Sequence, residues 1–317
     1  MTQLLEIRSL ILNIYKRYEK VINVLAKFVI MFFVFSQVNG FFGESMLNRG
    51  VVNLALAVAA LVLSPKWIVL LLIFLVTGQT IFVSIEAALV LFALMMTFYL
   101  LFARMYPKLS FFILAVPICY FLKIPLVVPI AAGLFFGLEV IIPVVLGVIA
   151  YHSVPVVPSL LSVSSGLEDI FNMPIVMIDM LQTVLTYMVN NKELIATAII
   201  FVGVIIVTYI LRRLSIDYAA YIAMISGVLL YIIGMVMSII IMKIDLNPFF
   251  VIIQGIFSSI IVMSMQFFKV VLNYPKSETV QFEDDDYYYY VKAVPKVKMR
   301  VPQKKQVKKI TSIKGNH

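Results

Sequence analysis

Apolar residues follow two regimes along the chain. In the opening stretch MTQLLEIRSLILNIYKRYEKVINVLAKF they recur at Leu4, Ile7, Ile11, Ile14, Tyr18, Val21 and Leu25, in alternating steps of three and four, while Arg8, Lys16, Arg17 and Lys20 stand on other faces. That spacing predicts an amphipathic helix. The favoured reading is a helix over residues 1–22 lying in a membrane interface, with a coiled coil or a partner helix as the other uses of such a stripe. From Val21 to Leu272 the stripe gives way to continuous runs of Leu, Ile, Val and Phe. A bilayer core of about 30 Å asks for about 20 such residues per helix. Alternating ten-residue strands, the mark of a transmembrane barrel, do not occur.

The runs give candidate spans at Ala26–Phe42, Val51–Ser64, Trp67–Ser84, Glu86–Ala103, Leu109–Leu122, Ile124–Tyr151, Leu194–Leu211, Tyr218–Met242 and Pro248–Leu272. Ile124–Tyr151 is overlong and carries Pro125, Pro129 and Pro143. Between Lys108 and Lys192 the chain must cross an odd number of times, so either these prolines split that run in two or Pro174–Asn191 also crosses. Both solutions give ten crossings, and eight or six follow if short segments dip in and return. The predicted fold is therefore an all-α, polytopic transmembrane bundle with an even number of crossings, short broken helices and a cytoplasmic C-terminal tail. Its parts are residues 1–22 (interfacial helix), 23–151 (first bundle), 152–192 (amphipathic connector with the helix start SSGLEDIF), 193–272 (second bundle) and 273–317 (basic tail with a strand-like segment).

Composition sharpens this. The 317 residues are 63% hydrophobic and 13% charged, against about a quarter charged in a soluble domain. The net charge of +9 sits at the two ends: five basic and two acidic groups in residues 1–27, ten and five in 273–317. Segments rich in Lys and Arg beside spans stay in the cytoplasm, so both termini are expected there, in a bacterial plasma (inner) membrane. A tail so tethered meets anionic headgroups or a protein partner rather than nucleic acid.

Ionisable groups inside apolar spans are costly and mark function. Glu139 is the prime candidate: it lies far from other charges, amid Pro129, Gly133, Gly137 and Pro143. Prolines free backbone carbonyls and glycines admit close helix approach, the makings of a substrate or ion path in a broken helix. Gln37, Gln79, Gln254 and Gln266 read as interhelical hydrogen-bonding residues. Glu86 opens EAALVLF, whose start resembles the loop by which importer permeases grip an ATPase. The glycine and cytoplasmic position that loop needs are missing, and Glu86 reads as a helix cap.

Enzymatic signatures are absent: no HExxH, no GxxxxGK[ST] and no GxSxG occurs, so no catalytic residue, metal, cofactor or nucleotide site is expected. Cys119 is a single buried thiol with no disulfide partner. In the tail, Tyr287, Tyr288, Tyr289 and Tyr290 precede Lys292, Lys296, Lys298 and Arg300, a strand-forming aromatic and basic segment suited to docking on a protein or lipid surface. Two functions follow: a transport protein, permease or permease subunit of unknown substrate; or a non-transporting subunit that anchors or assembles a complex through its tail.

Overall fold

The computed structural model describes residues 2–40, 50–82, 84–104, 107, 109–153, 173–269, 277–283 and 287–295. The described chain is predominantly helical, with eleven α-helices: α1 (Thr2–Gly40), α2 (Gly50–Val62), α3 (Pro65–Ile81), α4 (Ile85–Phe98), α5 (Phe111–Phe121), α6 (Val127–Phe135), α7 (Ile141–Ser153), α8 (Met173–Asn190), α9 (Lys192–Arg213), α10 (Ala219–Met242) and α11 (Pro248–Lys269). Strands β1 (Glu278–Glu283) and β2 (Tyr288–Ala293) follow. The region from Gly43 to Arg49, Lys108, the SSGLEDIF stretch, Asp284–Asp286 and the tail residues Lys296, Lys298 and Arg300 lie outside the described residues.

Four helices are long and apolar enough to cross a membrane: α1 from Glu6 onward, α9, α10 and α11. The remaining apolar helices are shorter, because polar or proline residues interrupt the runs at both ends. Ser64 precedes Pro65, which sits in the first turn of α3, where its missing N–H costs nothing. Ser84 caps α4 by accepting from the Ala87 N–H at 3.2 Å, while its hydroxyl donates to Glu86 Oε2 at 2.7 Å. Beyond Phe98 the helix widens into a π-turn, Tyr99–Ala103.

Residues 18–266 form one compact unit. Its main core gathers on α9, which packs along α10 and against α6 and α7; Phe201, Val204 and Ile205 of α9 meet Ile130, Val144 and Tyr231 there. A second core joins α1, α2 and α3 through Phe35, Ala57, Ala60 and Ile68. A third sets Ala87, Val90 and Leu91 of α4 against Met180 and Val184 of α8. The second core contains a polar knot. Asn39 donates to Asn53, and Gln79 donates to Asn39, all buried. Side-chain amides so used tie helices together where water is scarce.

The overlong run is broken, but not at a proline. Phe136 (φ −122, ψ −169) and Gly137 (φ −100, ψ −176) are extended, and a 3₁₀ turn, Leu138–Val140, leads into α7. Pro129 and Pro143 each sit in the first turn of a new helix, where proline is tolerated. α6 runs alongside α9 toward its C-terminal end, and α7 returns to its N-terminal end, where His152 meets Glu193.

The other compact unit comprises residues 1–17 and 267–317. Within α1 the backbone leaves helical dihedrals at Tyr18 (φ −115, ψ 20), itself a member of the amphipathic stripe. Arg8 donates to the carbonyls of Phe267 and Phe268 at 3.1 and 3.2 Å. β1 and β2 pair antiparallel, Val280 opposite Val291 and Phe282 opposite Tyr289. Because faces alternate along a strand, Val280, Phe282, Tyr289 and Val291 share one face, with Phe282 stacked on Tyr289 at 5.0 Å. Tyr288, Tyr290 and Lys292 share the other with Thr279 and Gln281.

Two glycines allow a direct check of this packing. A Cβ on Gly147 of α7 would stand 2.7 Å from Val116 Cβ and 3.2 Å from the Ile113 carbonyl oxygen of α5. Gly147→Ala is expected to lose about 1–3 kcal/mol to overpacking, offset by about 1 kcal/mol of helix propensity. A Cβ on Gly203 would meet only Leu230 Cδ2, at 3.5 Å, so Gly203→Ala is expected to be neutral or stabilising. Thermal unfolding of the detergent-purified variants reads the contrast; equal effects would contradict the α5–α7 packing.

Candidate functional site

The break that sequence reasoning singled out is real in the backbone. Glu139 lies in the 3₁₀ turn, exposed, and borders a small cavity of about 70 Å³ with Phe102, Ser110, Ile113, Ile142 and Pro143. Gly137 leaves space for its carboxyl; a Cβ there would stand 3.3 Å from Glu139 Cδ. Gly133 faces α9, where a Cβ would overlap the Thr208 hydroxyl, and Pro129 is buried one turn earlier. The interruption is level with the C-terminal end of α9 rather than its middle. Arg212 donates to the Leu134 carbonyl and, at 3.2 Å, to the Phe136 carbonyl. These are the acceptors that an ending helix leaves without partners, and a guanidinium fork suits two neighbouring oxygens.

At the opposite end of α9 lies a feature not selected from the sequence: a cavity of about 700 Å³. Five helices bring polar groups to it. Tyr120 comes from the last turn of α5, Tyr151 from the end of α7, Glu193 and Thr197 from the start of α9, and Tyr231 from the middle of α10. Lys123, Asp245, Asn247 and Gln254 complete the polar lining, with Phe250 and Phe257 of α11. Each group is held by local structure. Asn191 caps α9, its side chain accepting from the Leu194 N–H at 3.0 Å, which sets Glu193 in the first turn, where the helix dipole favours an acid. Thr197 donates to the Glu193 carbonyl at 2.7 Å. Tyr120 stacks on Tyr151 at 4.2 Å and 16°, and the His152 ring stands edge-on to both, at 5.7 and 5.0 Å.

Two polar atoms of this cluster are buried without hydrogen-bond partners: the Tyr120 hydroxyl and His152 Nε2. Tyr120 lies beside Thr197 without a well-formed bond, and His152 Nε2 is 3.7 Å from Glu193 Oε1. Buried polar groups are nearly always paired, so these two ask for a ligand or a proton. The phenols of Tyr120, Tyr151 and Tyr231 all lie within the field of the Glu193 carboxylate.

The turn that closes α5 is also strained. Lys123 has φ 62, its N–H bonds the Tyr120 carbonyl at 3.0 Å, and the Ile124 N–H bonds the Cys119 carbonyl at 2.8 Å. This is the Schellman arrangement, in which glycine is the usual residue at the left-handed position. Lysine there costs about 1–2 kcal/mol, and strain of this kind gathers at functional sites.

None of Glu139, Gly133, Gly137, Pro129 and Pro143 lines the large cavity; α6 joins the two places, the Lys123–Pro125 turn at one end and the break at the other. Tyr287–Tyr290 and Lys292 lie on the β-hairpin, exposed. Sequence signals for the cavity existed in retrospect: Tyr231 interrupts the apolar run GVLLYIIGM, and Tyr151-His152 ends another. Among the described residues no group of three His, Cys, Asp or Glu converges in metal-binding geometry. No protein family, curated protein or solved structure matches the chain.

Two substitutions probe this geometry. Arg212→Ala leaves two helix-end carbonyls without a charged donor and is expected to cost roughly 1.5–3 kcal/mol in unfolding free energy, with Arg212→Lys intermediate because it keeps the charge but not the fork. Lys123→Gly relieves the left-handed strain and is expected to gain up to about 1 kcal/mol. Denaturant unfolding in micelles measures both; a Lys123→Gly variant less stable than wild type would refute the strain.

Proposed function

We propose that the protein is a membrane transport protein, a permease or permease subunit, whose substrate occupies the Tyr120–Tyr151–Tyr231–Glu193 cavity. The observation that carries this reading is the cavity itself. It lies among five apolar helices, has room for a small organic molecule, and is lined by the buried, unpartnered Tyr120 hydroxyl with His152 Nε2 behind it. Helices too short to span, ending inside the bundle, are how transporters present such groups. In this reading α6 links the cavity to the break at Glu139, which serves as the second station of the path. The setting is a multi-pass protein of a bacterial plasma membrane, in a bundle with an even number of crossings and with both termini cytoplasmic, as the placement of Lys and Arg supports.

A second reading has its own observation. The hairpin exposes Val280, Phe282, Tyr289 and Val291 on one face, an apolar strip beside a polyaromatic and basic face, which suits docking of a partner protein at the tail. A non-transporting subunit that anchors or assembles a complex would use it. Anionic headgroups would instead engage the lysines whatever their order.

Screening the purified protein against charged and polar small molecules by thermal shift, then assaying hits for counterflow in proteoliposomes, tests the first reading. A hit that stabilises wild type but not Tyr120→Phe, and that exchanges across the bilayer, is the expected result, with exchange lost in Glu139→Gln at unchanged protein level. Ligands that bind and never cross would sink transport. For the tail, scrambling Gln281–Val301 with every charge retained is expected to abolish co-purification of a partner under docking and to change nothing under lipid tethering.

A further inference from the structure

The His152 imidazole has a hydrogen-bonding environment that fixes its protons. Nδ1 stands 3.0 Å from the Val148 carbonyl oxygen. A carbonyl only accepts, so Nδ1 carries a hydrogen and donates it. Nε2 is buried, has no hydrogen-bond partner, and faces Glu193 Oε1 at 3.7 Å. In a neutral ring with Nδ1 protonated, Nε2 presents a bare lone pair. Lone pair and carboxylate would then oppose each other with only one of the two solvated, the carboxylate being 37% exposed and the imidazole 6%. One further proton, shared between Nε2 and the carboxylate, turns that opposition into a charge-assisted hydrogen bond.

The other groups facing this pair do not supply the proton's charge. Tyr120 of α5 and Tyr151 of α7 face the imidazole with their rings. Tyr231 of α10 stands in the field of Glu193. From α8, which also packs on α7, Asp179 and Tyr187 line a different cavity. Glu139 is at the other end of α7. Lys123 and Asp245, the remaining charged lining residues, offset each other. Without the shared proton the cavity lining carries the single negative charge of Glu193; with it, the lining is neutral.

We propose that His152 and Glu193 form a proton-binding site in the cavity wall, and that the cavity takes a small organic cation which displaces this proton. The cation restores the charge that the departing proton removes, so the two are alternatives. The proton leaves Nε2 for water, the imidazole returns to its Nδ1–H form, and the cation sits against the carboxylate. Aromatic walls from Tyr120, Tyr151, Tyr231, Phe250 and Phe257 suit such an ion, since ring faces attract cations that shed water easily. This inference rests on the reading of the cavity as the substrate site and adds to it the substrate's charge and its exchange for a proton.

The test is equilibrium binding of tetraethylammonium to the full-length protein in lipid nanodiscs, by calorimetry, between about pH 5 and pH 8, where imidazoles change charge. Linkage requires affinity to rise with pH by up to about tenfold per unit while the pair holds its proton, with protons released into weakly buffered solution on binding. In His152→Gln the cation still binds Glu193 but the pH dependence and proton release are lost. In Glu193→Gln binding itself weakens at least about tenfold. Glu193→Asp, which keeps the charge, retains binding and stands in where the glutamine variant does not fold. Nitrogen NMR of His152, in a His317→Asn background that removes the other histidine, is expected to show the Nδ1–H form once the cation is bound. Affinity independent of pH overturns the shared proton, and absence of binding overturns the cation assignment. Neither result bears on passage of another solute, which the counterflow assay reads by itself.

Discussion

A helix that ends within apolar surroundings leaves carbonyls that water cannot reach, and each costs several kcal/mol in a membrane unless a donor is found. This chain ends helices repeatedly, and at three of those ends it meets the cost in the same way. Lys27 of α1 donates to the Leu61 and Leu63 carbonyls at the end of α2, at 2.8 and 2.6 Å. Arg212 of α9 does the same for Leu134 and Phe136 after α6. In the other compact unit Arg8 takes the carbonyls of Phe267 and Phe268 at the end of α11. In every case a cation on a distant stretch of chain supplies what the helix end lacks. Charge-assisted bonds are about twice as strong as neutral ones, which makes a few basic residues sufficient. The ends of α2, α6 and α11 depend on these contacts.

The same contacts explain what was legible in the sequence. Long uninterrupted runs announced α9, α10 and α11 almost to their limits, because a helix that buries apolar residues all round needs no particular partner to be recognised. The amphipathic stripe of the first residues is distinct in the sequence from the run that follows, while the backbone leaves helical geometry at Tyr18, within the stripe. Glu86 read as a cap, but the capping side chain is that of Ser84, and Glu86 accepts from the Ser84 hydroxyl. Gln79 read as an interhelical bond and makes one to Asn39.

What stayed hidden was everything that needs two distant segments. The use of Arg212 as a cap depends on α6 lying beside α9. The break looked like the work of prolines, yet it falls at Phe136–Gly137, because proline in a first turn starts a helix rather than ending one. Lys123 carried no signal at all; only the backbone shows that it occupies a position suited to glycine. The cavity draws on five helices with no shared motif. Glu193 follows Lys192 in the first turn of α9 with no motif around it.

The packing around α6 limits how the cavity can open. Thr208 of α9 is wedged between Gly133 of α6 and Gly227 of α10, where added methyl groups would collide with it. Its own hydroxyl is spent on the Val204 and Ile205 carbonyls. Three helices are thus locked at one level by a single side chain and two glycines. Below that level Arg212 holds the end of α6, and above it the Schellman turn at Lys123 fixes the start. The body made by α6, α9 and α10 is therefore close-packed, and its α9 and α10 members line the cavity with Glu193, Thr197 and Tyr231. Beside Tyr120 of α5 and Tyr151 of α7, the lining is completed by α11, which meets α10 through Gly255 against Ile232 and Val228 and turns Phe249, Ile252, Ile256 and Ile260 outward. A close-packed body moves as a unit while a loosely held helix does not have to follow it. Gln254 and Phe257 of α11 accordingly stand on the less tightly held side of the cavity that Glu193 also lines.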